Sequence, residues 1–214
     1  MFYFTKTPWW LKRLYPRCIW DIPVTEKILY LSFDDGPHPT ATPYVLDQLK
    51  AYNAKATFFC IGKNVVEHTG IYSRILDEGH RTGNHTFNHL NGWKVTDQQY
   101  LQSILQAGKH IDSNLFRPPY GRITRFQVKL LSEINNSPSS TNFRIIMWDV
   151  LSGDFDFKLS FEQCSANVMK NVRPGSVIVF HDSEKAFPRM KDALPKVLEH
   201  FSAKGFRFDA ISMY

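Results

Sequence analysis

What most constrains this chain is one buried-strand signature that runs straight into two carboxylates. Ile28-Leu29-Tyr30-Leu31-Ser32-Phe33 is apolar, β-branched and aromatic, and Asp34, Asp35 and the turn formers Gly36-Pro37 follow at once. An apolar run of this kind reads as a strand covered on both faces, as in a parallel sheet. Two acidic side chains at the end of such a strand are costly unless a cation compensates them. A metal ion, an Arg or a His is therefore expected from elsewhere in the chain. A solvated Asp-Asp-Gly-Pro turn is the alternative, and the remaining sequence has to decide between the two.

Six more strand-like segments follow, at 56–61, 80–84, 115–117, 144–148, 176–180 and 206–208. Helical patterns separate them. Thr42-Pro43 opens the first, with Thr as N-cap and Pro at the first helical position. A second spans 64–78 and is stopped by Gly79. Thr96 and Gln99 form a capping box for a third that reaches about 113. Thr124 caps a fourth, and two more cover 160–172 and 190–203. The polar stretch 135–142 carries neither signal. Strands alternating with helices over short connections imply parallel strands covered by helices. A (β/α) barrel and an open doubly wound sheet both fit that pattern. Polar clusters follow five of the strands: Asp34 and Asp35, His85 and His89, Arg117 and Tyr120, Asp149 and Asp154, and His181. Reactive groups delivered from several strand ends to one place favour the barrel. With about seven parallel strands rather than eight, a distorted or incomplete (β/α) barrel is expected.

At 214 residues with 43% hydrophobic side chains, the chain can bury one sizeable core. A single domain over 27–214 is expected, preceded by a strap at 1–26 packed on it. The formal charge of +6 is dispersed, without runs of like charge, so no nucleic-acid partner is expected. Three scattered cysteines, Cys18, Cys60 and Cys164, form neither a disulfide framework nor a Cys-x-x-Cys pair. The N-terminal residues lack a signal-peptide core, and no stretch approaches the ~20 apolar residues that span a bilayer. Those two observations lead to the expectation of a cytoplasmic protein. Trp9-Trp10-Leu11 beside Lys12 and Arg13 leaves peripheral contact with the cell envelope open.

His85 and His89 stand four apart in His-Thr-Phe-Asn-His. On a helical turn that spacing puts both imidazoles on one face, within reach of one metal. His68, His110 and His200 fall within helices without such neighbours and read as surface or packed residues. A carboxylate from Asp34-Asp35 completes a two-His, one-Asp set, which leaves metal positions open for water and substrate. The same set serves non-haem iron oxygenases, an alternative that has no use for extra acid–base groups.

Ser-Phe-Asp-Asp-Gly-Pro, His-Thr-Phe-Asn-His, Arg-Pro-Pro-Tyr-Gly and Val-Phe-His, in this order, resemble four of the five motifs of the polysaccharide deacetylases. These form carbohydrate esterase family 4, the NodB-homology domain, with peptidoglycan and chitin deacetylases and acetylxylan esterases among its members. The resemblance spans about Lys27 to Phe208 and implies a distorted (β/α) barrel. It implies a metal-dependent hydrolase acting on carbon–nitrogen bonds other than peptide bonds, which removes N-acetyl, or alternatively O-acetyl, groups from an acetylated glycan. Asp35, His85 and His89 are implied as metal ligands, with Zn2+ expected and Co2+, Mn2+ or Ni2+ as alternatives. Asp34 is implied as general base, and Arg117 as the partner that orients it. The Tyr120 backbone N–H is implied as oxyanion donor and His181 as general acid.

The fifth motif departs from its usual form, Asp-x-x-Asp-Trp, being Leu151-Ser152-Gly153-Asp154-Phe155 here. Asp154 keeps the carboxylate expected to pair with His181. Phe155 and Val179 are expected to form an apolar wall for the acetyl methyl. Asp149 is an acid with no assigned role, and His38 is read as a turn residue that touches substrate or metal only in the alternative. Trp20, Trp93 and Trp148 read as core or rim packing, with stacking on sugar rings as the alternative. A deacylase of a small amide, an acetylxylan esterase and a non-catalytic carbohydrate-binding module are the competing functional readings.

Overall fold

The computed structural model describes residues 3–135 and 142–212. Its sheet is entirely parallel along its ladders and contains nine strands among the described residues. These are β1 (Cys18–Ile19), β2 (Ile28–Asp34), β3 (Ala56–Cys60), β4 (Arg81–Asn84), β5 (Leu115–Phe116), β6 (Arg144–Ile146), β7 (Val150–Leu151), β8 (Val177–His181) and β9 (Arg207–Phe208). Eight follow the order β1-β6-β5-β4-β3-β2-β8-β7, and β9 pairs with the start of β2. The helices are α1 (Trp9–Leu14), α2 (Ala41–Ala51), α3 (Gly62–Glu67), α4 (Thr69–Asp77), α5 (Asp97–Ala107), α6 (Arg125–Asn135), α7 (Phe161–Asn171) and α8 (Phe187–Ala203). The curled parallel sheet is the expected distorted, incomplete (β/α) barrel.

Period-two alternation along the central strands separates core from site. In β2, Leu29, Leu31 and Phe33 join the large cluster that includes Val45, Leu46 and Leu49 of α2 and Leu194 and Val197 of α8. Ile28 and Tyr30 join Phe59, Leu115, Ile146 and Val177 in a second cluster. Ser32 and Asp34 share the parity of Ile28 and Tyr30, so the strand that builds the outer core also aims its carboxylate inward. β8 repeats the pattern: Ile178 and Phe180 pack in the helix-facing cluster, and Val177, Val179 and His181 have the opposite parity.

β1 and β7 are the two ends of the strand path and do not pair. The N-terminal segment crosses between them. Lys6 bridges Val150 and Asp21 bridges Ser176, both antiparallel, and the Leu151 N–H donates to the Thr5 carbonyl. Asp149 sits fully buried beneath this segment. It accepts from Lys6 Nζ at 2.5 Å, Lys12 Nζ at 2.7 Å and Ser176 Oγ at 2.6 Å. Burial alone would push its carboxyl up, but these three donors together hold it below its ordinary value. The acid without a sequence role is thus the anchor of the N-terminal segment.

Several elements differ from expectation. The sheet has nine strands, not seven: β1 lies in the segment expected as a strap, and β7 follows β6 after three residues, where a single strand over 144–148 was expected. The helix expected over 64–78 is two, α3 and α4, broken at His68 with φ −125° and ψ 51°. Thr42 is not an N-cap: α2 begins at Ala41, and the Thr42 side chain is buried. The last helix, α8, starts at Phe187, three residues earlier than expected, and carries Pro195 within it. The polar loop expected at 135–142 falls, over 136–141, outside the described residues.

Candidate active site

The C-terminal ends of β2, β4, β5 and β8 surround a cavity of about 520 Å³ lined by Asp34, Asp35, His85, His89, Tyr120, Val179 and His181, among others. Asp34 is its most tightly held acid. Arg117 Nη1 donates to Asp34 Oδ1 and to Ser32 Oγ, both at 2.7 Å. Its Nε and Nη2 donate to the carbonyls of Ile146 and Met147 at 3.1 and 3.0 Å. The guanidinium also lies 4.0 Å over the Phe59 ring. Arg117 is fully buried, and burial lowers its pKa against the pull of Asp34. A buried charge needs this full set of partners, and the set fixes one orientation for the fork and for the carboxylate it holds.

Asp35, His85 and His89 each present a ligand atom, and these atoms lie within 4.8 Å of one another. His89 Nε2 is 3.1 Å and His85 Nε2 3.7 Å from Asp35 Oδ1. The pair does not sit on a helical turn as expected. His85 and His89 flank an irregular loop after β4, in which Thr86 and His89 take φ of 63° and 54°. Asn84 and Ser103 side chains hold that loop by accepting from the Thr86 and Phe87 N–H groups. Four of the six non-glycine residues with positive φ among those described belong to this site: Asp35, Thr86, His89 and Tyr120. Such backbone is disfavoured for side chains with a Cβ, and its clustering marks a site whose surroundings over-determine it.

The donor set suits a divalent cation. His85 Nδ1 lies 2.8 Å from the Arg117 carbonyl, which can only accept, so this nitrogen carries the proton and Nε2 is left as a lone pair. Burial lowers the His85 pKa to about 4, which keeps the imidazole neutral, as ligation requires. Burial raises the Asp35 carboxyl, but the His89 hydrogen bond and the imidazoles of His181, His89 and His85 draw it well below the usual carboxylate range. Two imidazoles and one carboxylate form a donor set that could hold a divalent cation and leave a position to spare.

Across the cavity, His181 Nδ1 is 2.7 Å from Asp154 Oδ1, and its backbone N–H donates to Oδ2 at 2.7 Å. Burial lowers the imidazole's pKa, but the buried Asp154 outweighs it and lifts His181 to about 9. The β2–β8 register makes Asp34 and His181 direct Cα partners. Phe155 packs edge-on against His181 with centroids 5.2 Å apart, and Phe155, Val179 and Leu151 line one side of the cavity. The Tyr120 ring packs on His89 at 4.5 Å.

Of the residues singled out in sequence, Asp34, Asp35, His85, His89, Arg117, Tyr120, Asp154, Phe155, Val179 and His181 come together here. His38 does not join them: its Nδ1 accepts from the Thr40 and Ala41 N–H groups at the start of α2. Trp20 is buried in the core, Trp148 lines the cavity, and Trp93 is exposed and does not line it. Ser32 and Asp182 were missed. Asp182 is fully buried; its Oδ1 accepts from the Gly36 N–H at 3.1 Å and its Oδ2 from Thr42 Oγ1 at 2.5 Å. Burial raises its pKa to about 8. It pins the turn that carries Asp35. A second acid directly after a strand-end histidine was the available signal.

Comparison with known proteins follows the same lines. Residues 21–137 match the family model described as polysaccharide deacetylase. A peptidoglycan-N-acetylglucosamine deacetylase of Bacillus cereus is 34% identical over 199 residues, covering 90% of each chain. A chitooligosaccharide deacetylase of Azorhizobium caulinodans is 32% identical over 164 residues, covering 73% of this chain and 74% of the relative. Among solved structures, a peptidoglycan N-acetylglucosamine deacetylase in complex with a naphthyl N-oxidanyl-benzamide superposes with a TM-score of 0.84 at 34% identity, covering 96% of this chain and 95% of the other.

Proposed function

The chain belongs to the polysaccharide deacetylase family, and on that premise we propose that it is a metal-dependent hydrolase that removes N-acetyl groups from a polymer of N-acetylated sugars. The observation that carries this reading is the juxtaposition of two differently prepared acids. Asp35 faces two imidazoles, whereas its neighbour Asp34 faces a buried guanidinium.

Asp35, His85 and His89 would hold the cation, for which Zn2+ best fits the donors. When bound there, a divalent cation would supply Lewis acidity toward the acetyl carbonyl and would make water a better nucleophile. Asp34, oriented by Arg117, takes the proton of the water whose oxygen bonds to the carbonyl carbon. The Tyr120 N–H, at its left-handed turn, donates to the developing oxyanion. His181, protonated on both nitrogens and anchored through Nδ1 to Asp154, gives the Nε2 proton to the sugar nitrogen as the carbon–nitrogen bond breaks. Acetate and a free amine leave. Leu151, Phe155 and Val179 receive the acetyl methyl.

The peptidoglycan and chitooligosaccharide deacetylases among the relatives support an N-acetylated glycan. The oxygenase alternative leaves Asp34, Arg117 and His181 without a task. Acetate release across N-acetylglucosamine oligomers, peptidoglycan and acetylated xylan tests the reading. Release from the first two at rates well above xylan is expected, and a preference for xylan would replace the N-deacetylase by an esterase.

A further inference from the structure

Beside the catalytic cavity lies a second depression of about 390 Å³, lined largely by aromatic rings. The two share Tyr3, Tyr120, Arg122, Trp148 and Leu151, so they are continuous at one edge. The far wall comes from the N-terminal segment, through Trp10, Leu14 and Tyr15. That segment is the one anchored by Lys6 and Lys12 on Asp149.

Arg122 stands where the two spaces meet. Its guanidinium lies 4.1 Å over the Trp93 ring. Trp93 is itself fixed by a 3.2 Å hydrogen bond from Nε1 to the Ile123 carbonyl, although 55% of the residue is exposed. Two other arginines near the cavity already have partners: Arg117 donates to Asp34, and Arg189 to the Asp154 and Lys185 carbonyls. Arg122 forms no ion pair among the described residues. A planar fork held flat by stacking, with its donor edge unpaired, is suited to a carboxylate.

A polymer cannot place one sugar in the cavity without laying its neighbour beside it. We propose that this aromatic groove holds the sugar adjoining the one that is deacetylated, and that Arg122 selects for a carboxylate carried by that neighbour. The assignment of the occupant rests on the deacetylase reading above. Aromatic faces pack on the ring's C–H surface, and the apolar wall leaves Arg122 as the group in the groove that discriminates by charge. Neutral chitin-type oligomers would fill the groove and leave the guanidinium unpaired. A glycan whose alternate sugar bears an ether-linked carboxylate would satisfy it.

Calorimetric titration of the full chain with peptidoglycan fragments tests this, the carboxylate of the neighbouring sugar being free in one and amidated in the other. One charge-assisted pair predicts about a tenfold tighter Kd for the free acid. Arg122→Gln should abolish that ratio, Arg122→Lys should retain part of it, and added salt should shrink it in the wild type. Thermal melts establish that each variant is folded. Equal binding of the two fragments by the wild type, or a ratio untouched by Arg122→Gln, overturns the proposal. Acetate release is followed in parallel. A charge preference in binding without acetate release leaves the subsite standing and removes the deacetylase reading instead, whereas release without preference does the reverse.

Discussion

Asp34 and Asp35 are adjacent in sequence and face opposite kinds of partner, a buried guanidinium and a pair of imidazoles. Asp34→Asn keeps the shape and loses the base, so it should retain bound metal and lose about a hundredfold to ten-thousandfold in kcat. His85→Ala should lose both. Metal content measured beside turnover separates the two, and Asp34→Asn with near-normal kcat would show that the base is another group. His181 yields a pH prediction. Its raised pKa means that the proton-donating form persists through neutral pH and is lost as pH rises through about 9, so activity falls there. The same shift stabilises the fold below the ordinary histidine value, a contribution lost as pH rises toward about 9. Asp154→Asn removes the raising charge and should move the alkaline fall toward the ordinary value of 6.5; a pH–rate profile left in place would refute the pairing. At this scale much was legible. The doublet Asp34-Asp35 after an apolar run and the spacing of His85 and His89 announce charge that must be compensated. Ser32 was not legible, because a serine in a strand acquires meaning only through its tertiary hydrogen bond from Arg117, whereas Asp182 stood directly after His181 and its contact with Gly36 is what the sequence does not show.

The elements show how the carboxylate turn and the N-terminal segment are held. Gly36 approaches Asp182 so closely that a Cβ would lie 2.0 Å from Oδ2. Gly36→Ala must therefore displace the acid or the turn, and a loss of about 1–3 kcal/mol is expected together with weakened metal binding. Chemical denaturation and metal titration check the two effects. Asp149→Ala removes the shared anchor of Lys6 and Lys12. Because both ammonium groups stay partly exposed, 35% and 20%, the cost should fall to about 2 kcal/mol, below the full penalty of breaking a buried pair. Limited proteolysis near Lys12 and Arg13 should then accelerate, and an unchanged cleavage rate would deny Asp149 this role. Long strands and helices were readable from periodicity. The two-residue strands β1 and β7, the break at His68 and the loop geometry of His85–His89 were not, since tertiary hydrogen bonds rather than local pattern determine them.

The molecule as a whole is a parallel sheet left open between β1 and β7, with the N-terminal segment laid across the opening. Because the strands are parallel, their C-terminal ends gather on one side, and residues as distant as Asp34, His85, Arg117 and His181 meet there. Alternating strands and helices made that architecture legible, and of the polar groups read after five strands Asp149 lies apart, beneath the N-terminal segment. The aromatic groove was not legible, since Trp10, Trp93 and Arg122 come from separate segments with no shared pattern. No helix among the described residues is long and apolar enough to cross a membrane. The account turns on a cation held by Asp35, His85 and His89 that works with Asp34. The most direct test is acetate release from peptidoglycan before chelation, after chelation, and after Zn2+ is restored. The account predicts release that disappears on chelation and returns with the metal, and release that continues undiminished in the chelated protein would contradict it.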